Sequence, residues 1–286
     1  MEVRGEEDLI GGVALLLILL LLGPPAAAQS PKKDNYLTNI ELCNGRDRAS
    51  LEPRINGCTS LIDSGEGTPV ALAIAYNNRG NAYATKGDYD RAIQDFDQSI
   101  KLNPTSSKPF NNRGVAFLRK GEYDLAIEAL DEAIKLDPSY GGAFANRAGI
   151  HLKKNEYDRA AQDYDEAIRL QPNLAAVWNG RCWTRAILGA LQPALEDCNK
   201  ALQLKPDDGA TYDSRGLIYL KMGQLDAATD EYNSALRFEP KLASALYGRG
   251  LAKLRRGDKA GGDSDILAAT TIQANIGDDF MRYGVQ

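Results

Sequence analysis

The sequence predicts an all-α fold, an α-solenoid built from stacked helix-turn-helix units of 34 residues. An arginine recurs at this interval six times, at Arg79, Arg113, Arg147, Arg181, Arg215 and Arg249. A proline ends every interval except the last, at Pro104, Pro138, Pro172, Pro206 and Pro240. Neither helix of such a unit can bury its apolar stripe alone, so neighbouring units are expected to stack on one another.

Each unit contains the pattern of two helices. The first helix carries a stripe spaced i, i+3, i+4, i+7, formed by Tyr76, Arg79, Gly80 and Tyr83. Gly87 is expected to end this helix in a left-handed conformation. The second helix places Ala92 and Phe96 on its inner stripe and stops before Pro104, because the residue before a proline disfavours the helical region.

These units resemble the tetratricopeptide repeat family. The family's aromatic residue at position 4 is present as Tyr76, Phe110, Phe144, Trp178 and Tyr212. Its small residue at position 8 and its alanine at position 20 also recur, for example as Gly80, Gly114, Ala92 and Ala126. The resemblance implies a right-handed superhelix whose first helices line a concave groove. It divides residues 73–276 into six units: 73–106, 107–140, 141–174, 175–208, 209–242 and 243–276.

The recurring arginine departs from the family, which usually has leucine at position 7. Its stem lies on the buried stripe, so its guanidinium needs a partner. We expect a ladder of arginine–carboxylate pairs that joins the units. The candidate acids on the second helices are Asp95, Asp97, Asp131, Asp163, Asp165, Asp197, Glu231 and Asp265. The alternative is that each guanidinium extends to solvent.

Residues 1–28 have the pattern of a secretory signal. Ten consecutive apolar residues, Val13 to Leu22, precede two prolines and a run of alanines ending at Ala28. The acidic residues before this core are unusual for a signal, so an uncleaved anchor or a misassigned start remain alternatives. Cleavage after Ala28 predicts a periplasmic or secreted bacterial protein with no membrane insertion of the mature chain.

The four cysteines form two local pairs downstream of that segment, Cys43 with Cys58 and Cys182 with Cys198. Two disulfides in an oxidising compartment are one interpretation, and buried thiols are the other. The first pair would close a helical hairpin in residues 29–72, which we expect to cap the repeats. By the resemblance, the second pair bridges the two helices of the fourth unit. Residues 277–286 form a C-terminal tail, in which Phe280 and Tyr283 are possible covers for the last unit.

Composition argues against several classes of function. The formal charge is −5, from 34 basic and 39 acidic residues, whereas nucleic-acid binding needs a basic surface. His151 is the single histidine, so a histidine-rich metal site is excluded and a Ser-His-Asp triad would need that residue. The sequence contains neither a phosphate-binding nor a dinucleotide-binding glycine loop. We therefore expect no catalytic residue, metal or cofactor.

Asparagines recur at the positions that face the groove in the family: Asn77, Asn78, Asn81, Asn111, Asn112, Asn146 and Asn179. A side-chain amide both donates and accepts, so such a row suits the backbone of an extended peptide. The row at Asn78, Asn112 and Asn146 is similar to the asparagine ladder of the O-linked N-acetylglucosamine transferase repeat domain. The alternative is that these amides bond to one another or to water.

The later units carry apolar groove residues, of which Trp183 is the strongest candidate anchor. Its alternative role is partial burial against the next unit. The predicted function is a non-catalytic scaffold that binds an extended peptide or helix of a cell-envelope protein in the groove. The alternative is a self-associating structural protein, a homo-oligomer whose subunits meet at the apolar later units.

Overall fold

The structure is a computed structural model that describes residues 31–45 and 50–285. Within these residues the chain forms fifteen α-helices and no β-strand. They are α1 (Pro31–Cys43), α2 (Leu51–Ser64), α3 (Pro69–Thr85), α4 (Tyr89–Leu102), α5 (Ser107–Lys120), α6 (Tyr123–Leu136), α7 (Gly141–Lys153), α8 (Tyr157–Leu170), α9 (Ala175–Ile187), α10 (Leu191–Leu204), α11 (Gly209–Lys221), α12 (Leu225–Phe238), α13 (Ala243–Arg255), α14 (Lys259–Ile272) and α15 (Ile276–Arg282). The predicted all-α solenoid is confirmed.

Helices α3 to α14 form six consecutive antiparallel pairs, each of which packs on the next. The first pair begins early, at Pro69 rather than Ala73. Pro69 occupies the first helical position, where no N–H donor is needed, and the Thr68 hydroxyl accepts a hydrogen bond from the Ala71 N–H. At the other end, Ile276 begins α15, so the sixth 34-residue interval ends inside a new helix.

The turn within each pair depends on a residue in the left-handed conformation. Gly87 follows the first helix of the first pair with φ 82°, as predicted. The third pair uses Asn155 instead, with φ 58°. Asparagine tolerates this region better than other residues with a Cβ, so the turn keeps its shape without glycine.

Small residues bring the two helices of a pair into close contact. The position 20 alanines of the first five pairs (Ala92, Ala126, Ala160, Ala194 and Ala228) are fully buried. A Cβ at Gly80 would lie 2.7 Å from the Phe96 ring, a distance that real Cβ atoms do not adopt. The aromatic side chain therefore needs the glycine opposite it.

The arginine ladder joins the pairs. Arg147 Nε and Nη2 donate to the two carboxylate oxygens of Asp163 at 2.8 and 2.7 Å, while its Nη1 donates to Asp131 on the preceding pair at 2.6 Å. Arg181 repeats this arrangement with Asp197 and Asp165. The arginine side chains of the ladder are mostly buried, so the predicted ladder is confirmed and the solvent-extended alternative is not adopted.

The ladder varies at Arg113, Arg215 and Arg249. Arg113 pairs with Asp97 alone, and its buried Nε has no hydrogen-bond partner among the described residues. Arg215 and Arg249 pair with Glu231 and Asp265 respectively, and each also donates to an asparagine on the preceding pair. The bidentate pair within a repeat is therefore present in five repeats.

Helices α1 and α2 form a hairpin ahead of the repeats. Cys43 and Cys58 form a disulfide across it, with Cα atoms 4.6 Å apart, and both belong to a buried cluster that includes Ala75 of α3. A second disulfide joins Cys182 to Cys198, between α9 and α10, with Cα atoms 5.3 Å apart. Each disulfide thus fixes the angle between two neighbouring helices.

The predicted signal segment, residues 1–28, lies outside the described residues. Among the helices that the structure describes, none has the length and apolar character needed to cross a membrane.

Candidate functional site

The groove-facing asparagines form a ladder between successive first helices. Asn112 Nδ2 donates to Asn77 Oδ1, and Asn146 Nδ2 donates to Asn111 Oδ1, both at 2.9 Å. Asn78 donates to Asn44 at 3.1 Å, which links the first repeat to the N-terminal hairpin. The amides therefore bond to one another, as the alternative interpretation proposed. The half-buried Asn77, Asn78, Asn112 and Asn146 keep a further N–H and oxygen lone pairs with which they can meet a ligand. Asn111, a predicted groove residue, is instead buried and donates to Asn112 at 3.2 Å.

The ladder continues into the later repeats. Ser214 Oγ donates to Asn179 Oδ1 at 2.8 Å, in the register of the earlier pairs. The structure also explains why the asparagine row has glycine at positions 180 and 248. An added Cβ at Gly180 would lie 2.4 Å from the Tyr164 ring, and one at Gly248 would lie 2.3 Å from the ring and hydroxyl of Tyr232. Each tyrosine therefore fills the space that a side chain on the next repeat would take.

The apolar half of the groove is covered by the C-terminal helix α15. Phe280 is 1% exposed and packs 4.8 Å, centroid to centroid, from the Tyr247 ring. Tyr283 meets Trp183 edge-to-face at 5.1 Å. Phe280 thus covers the last repeat, as expected, whereas Tyr283 reaches back to the fourth repeat, where Trp183 is half-buried against the protein's own chain.

The half-buried Lys221 holds α15 in place. Lys221 Nζ donates to the carbonyl oxygens of Ala186 and Tyr283 at 2.7 Å and to that of Ile187 at 3.3 Å. Burial lowers the pKa of this amine. The sequence does not single out Lys221, because basic residues are common at this position of the repeat.

A cleft of about 470 Å³ opens where the ladder meets α15. Asn179, Ser214 and Trp183 lie on its repeat side, and Asp279 and Tyr283 on its α15 side. Asp213 also lines this cleft but is only 6% exposed, and its Oδ2 accepts a hydrogen bond from Ser244 Oγ at 2.6 Å. Burial raises the pKa of Asp213 to about 7. The cleft therefore combines a polar floor with aromatic walls.

The structure brings together only some of the predicted groove residues. Asn77 joins Asn112, and Asn111 joins Asn146, while Asn179 and Trp183 share the cleft. Asn81 is half-buried at the position that corresponds to Trp183. Asp213 and Ser244 were missed, since neither recurs between repeats and only the fold brings them together.

His151 is a packed residue within the third repeat. It is 6% exposed, and its Nδ1 lies 2.7 Å from the carboxylate of Glu156. Its Nε2 lies 3.7 Å from Asp163, the acid that also pairs with Arg147. The histidine thus belongs to the charge network between the helices of its own repeat.

Comparison with known proteins agrees with this architecture. Tetratricopeptide repeat models match residues 73–106, 111–175, 145–209 and 216–257. No curated protein sequence matches the chain.

Solved structures share the fold at low sequence identity. A tetratricopeptide repeat protein from Parabacteroides merdae is 17% identical with a TM-score of 0.65, and the match covers 88% of this chain and 99% of that one. PilF of Pseudomonas aeruginosa is 19% identical with a TM-score of 0.62, covering 73% and 96% of the two chains. YrrB, described as having an unusual peptide-binding site, is 21% identical with a TM-score of 0.50, covering 66% and 95%. With the repeat models matching through most of the array, the chain belongs to the tetratricopeptide repeat family.

Proposed function

We propose that the protein is a non-catalytic scaffold that binds an extended segment or a helix of another bacterial cell-envelope protein in its concave groove. One observation carries the proposal. The bond between Ser214 and Asn179 belongs to the amide ladder and also lies on the cleft beside Trp183. The bond of the ladder that follows its break at Gly180 therefore lies at a cleft with an aromatic wall, which suits a chain that needs backbone hydrogen bonds and one anchored side chain.

The two disulfides support an extracytoplasmic location, because such bonds persist in oxidising compartments. The alternative function, self-association through the apolar later repeats, has little support because few of those apolar side chains are exposed. Leu217 and Leu220 are each 1% exposed, and α15 packs over Trp183.

Site-specific photo-crosslinking in cells tests the proposal. A crosslinker at Asn81 would lie on the groove face of α3, while one at Gln98 would lie on the exposed side of α4. We expect a partner to be captured at Asn81 and not at Gln98. Equal capture at both positions, or products containing only this chain, would contradict the proposal.

A second comparison uses the Asn78/Asn112/Asn146→Ala triple variant. If the groove binds the partner, co-purification should fall while circular dichroism shows a folded helical protein. Undiminished co-purification would show that these amides make no contact with it.

A further inference from the structure

Asp213 differs from the other buried aspartates on the inner helix faces. Asp95, Asp163, Asp197 and Asp265 are each bound by an arginine through two hydrogen bonds. Asp213 is buried to the same degree, at 6% exposure, but no lysine or arginine in the described part of the chain forms an ion pair with it. Its one hydrogen-bond partner there is the Ser244 hydroxyl. A buried carboxylate without a cation is unfavourable in its ionised form, so Asp213 either keeps a proton or pairs with a cation that a ligand supplies.

The position of Asp213 makes it available to a ligand. It lines the 470 Å³ cleft together with the half-buried Trp183 and Tyr283 rings and the Asn179–Ser214 pair. The two rings are apolar surfaces along which an alkyl stem can lie, and an aromatic face also attracts a cation.

The charged and titratable groups near Asp213 are few. Glu239 lies near enough for its charge to raise the pKa of Asp213, and burial is the larger cause. The Tyr232 and Tyr283 hydroxyls are both influenced by the charge of Asp213. Asp279 and Lys153 lie on other parts of the cleft lining. Asp279 accepts a hydrogen bond from Gln273 at 2.6 Å and pairs with Arg282, whereas Lys153 is exposed.

We propose that this cleft binds the cationic side chain of a lysine or arginine in the segment that occupies the groove, with the cation paired to Asp213 and the stem packed on Trp183 and Tyr283. The inference rests on the proposed function and adds a specificity to it. It also implies a pH dependence, because the cation pairs with the ionised carboxylate. With a pKa of about 7, the ionised fraction of Asp213 rises about 10-fold between pH 6 and pH 8.

An NMR titration of the purified, oxidised protein tests this inference. The probes are N-acetyl-lysine N-methylamide and its norleucine counterpart, which has an alkyl side chain and no charge. The signal is the indole N–H of Trp183, assigned with a Trp178→Phe variant. We expect saturable shifts with the lysine probe, at least about 10-fold weaker binding of norleucine, and about 10-fold tighter lysine binding at pH 8 than at pH 6.

Asp213→Asn should weaken lysine binding at least about 10-fold, while Asp207→Asn, an exposed control in the connection just before α11, should not change it. Equal binding of lysine and norleucine, a flat pH profile, or no shift of Trp183 would overturn the inference. The wild-type pH profile needs no variant, so it decides the question even if Asp213→Asn fails to fold. Partner capture at Asn81 without a lysine-specific shift would leave the proposed function standing and remove this inference.

Discussion

Arg147 and Asp163 share two parallel hydrogen bonds, of 2.8 and 2.7 Å, between the two helices of the third repeat. This pairing raises the pKa of Arg147, and the third hydrogen bond, to Asp131, reaches the preceding repeat. We expect Arg147→Ala to lower the free energy of unfolding by about 2–4 kcal/mol, because it removes both of these hydrogen bonds from a buried carboxylate. Urea denaturation followed by circular dichroism measures this loss.

Arg113→Ala is the matched control. Arg113 occupies the same repeat position and also lies over an aromatic ring, but it pairs only with Asp97, whose side chain is 50% exposed. Arg113→Ala should lower the free energy of unfolding by about 1 kcal/mol or less, since it removes only this partly exposed ion pair. Equal losses in the two variants would show that the bidentate pair adds nothing.

The two disulfides should each stabilise the fold by about 3 kcal/mol, because they close loops of 15 and 16 residues in the unfolded chain. Reductant should therefore lower the urea midpoint of the wild type. A Cys182→Ala/Cys198→Ala variant should lose only part of this sensitivity, since it retains Cys43–Cys58. An unchanged wild-type midpoint in reductant would argue against both contributions.

Gly248→Ala should destabilise the protein by about 1–3 kcal/mol, because its Cβ would meet the buried Tyr232 ring. Gly149→Ala is the control, since a Cβ there meets no atom within 4 Å. Alanine in the middle of α7 should instead stabilise by about 0.5–1 kcal/mol. Thermal denaturation should show a lower melting temperature for Gly248→Ala and a higher one for Gly149→Ala. Melting temperatures that shift in the same direction would contradict the steric argument.

Asp213 should reduce stability as the pH rises. Its folded pKa of about 7 lies above the ordinary value of 3.8, so the folded state retains a proton that the unfolded chain releases. The burial penalty is absent below about pH 4, grows between about pH 4 and 7, and is then constant at about 4 kcal/mol. Relative to wild type, Asp213→Asn should gain stability over that window, while Asp207→Asn should follow wild type. Urea midpoints from pH 4 to 8 provide the measurement, and a constant difference would exclude the raised pKa.

Lys221→Met should loosen α15, because it removes the amine that bonds the carbonyls of Ala186 and Tyr283. A loss of about 1.4 kcal/mol in local stability corresponds to about 10-fold faster amide exchange in residues 276–285. Hydrogen exchange measured by mass spectrometry reports this directly. Lys205→Met, which removes an exposed i,i+3 pair, is the control and should leave that exchange unchanged.

The features that follow the 34-residue register are predictable from the sequence. Arg147 lies 16 residues from both of its acids. Because the arginines recur every 34 residues, the same 16-residue separation predicts the ladder in the other repeats. The helix pairs and the turn at Gly87 follow from the same periodicity.

Features outside that register are not predictable in this way. Asp213 stands at the groove position that carries Asn77, Asn111 and Asn179 in other repeats, but the sequence does not indicate its contact with Ser244 or the cleft that it lines with α15. Helix α15 has no counterpart in the other repeats, so its docking on Trp183 and Tyr247 depends on tertiary contacts alone.

The contacts of Tyr164 with Gly180 and of Tyr232 with Gly248 make neighbouring repeats specific to each other. Recombination that deleted residues 175–208 would place Tyr164 opposite Ser214, whose side chain has no room beside that ring. Deleting residues 175–242 would place it opposite Gly248, where room exists. In this half of the array, losing two repeats therefore keeps tyrosine opposite glycine, whereas losing one places a side chain against the ring.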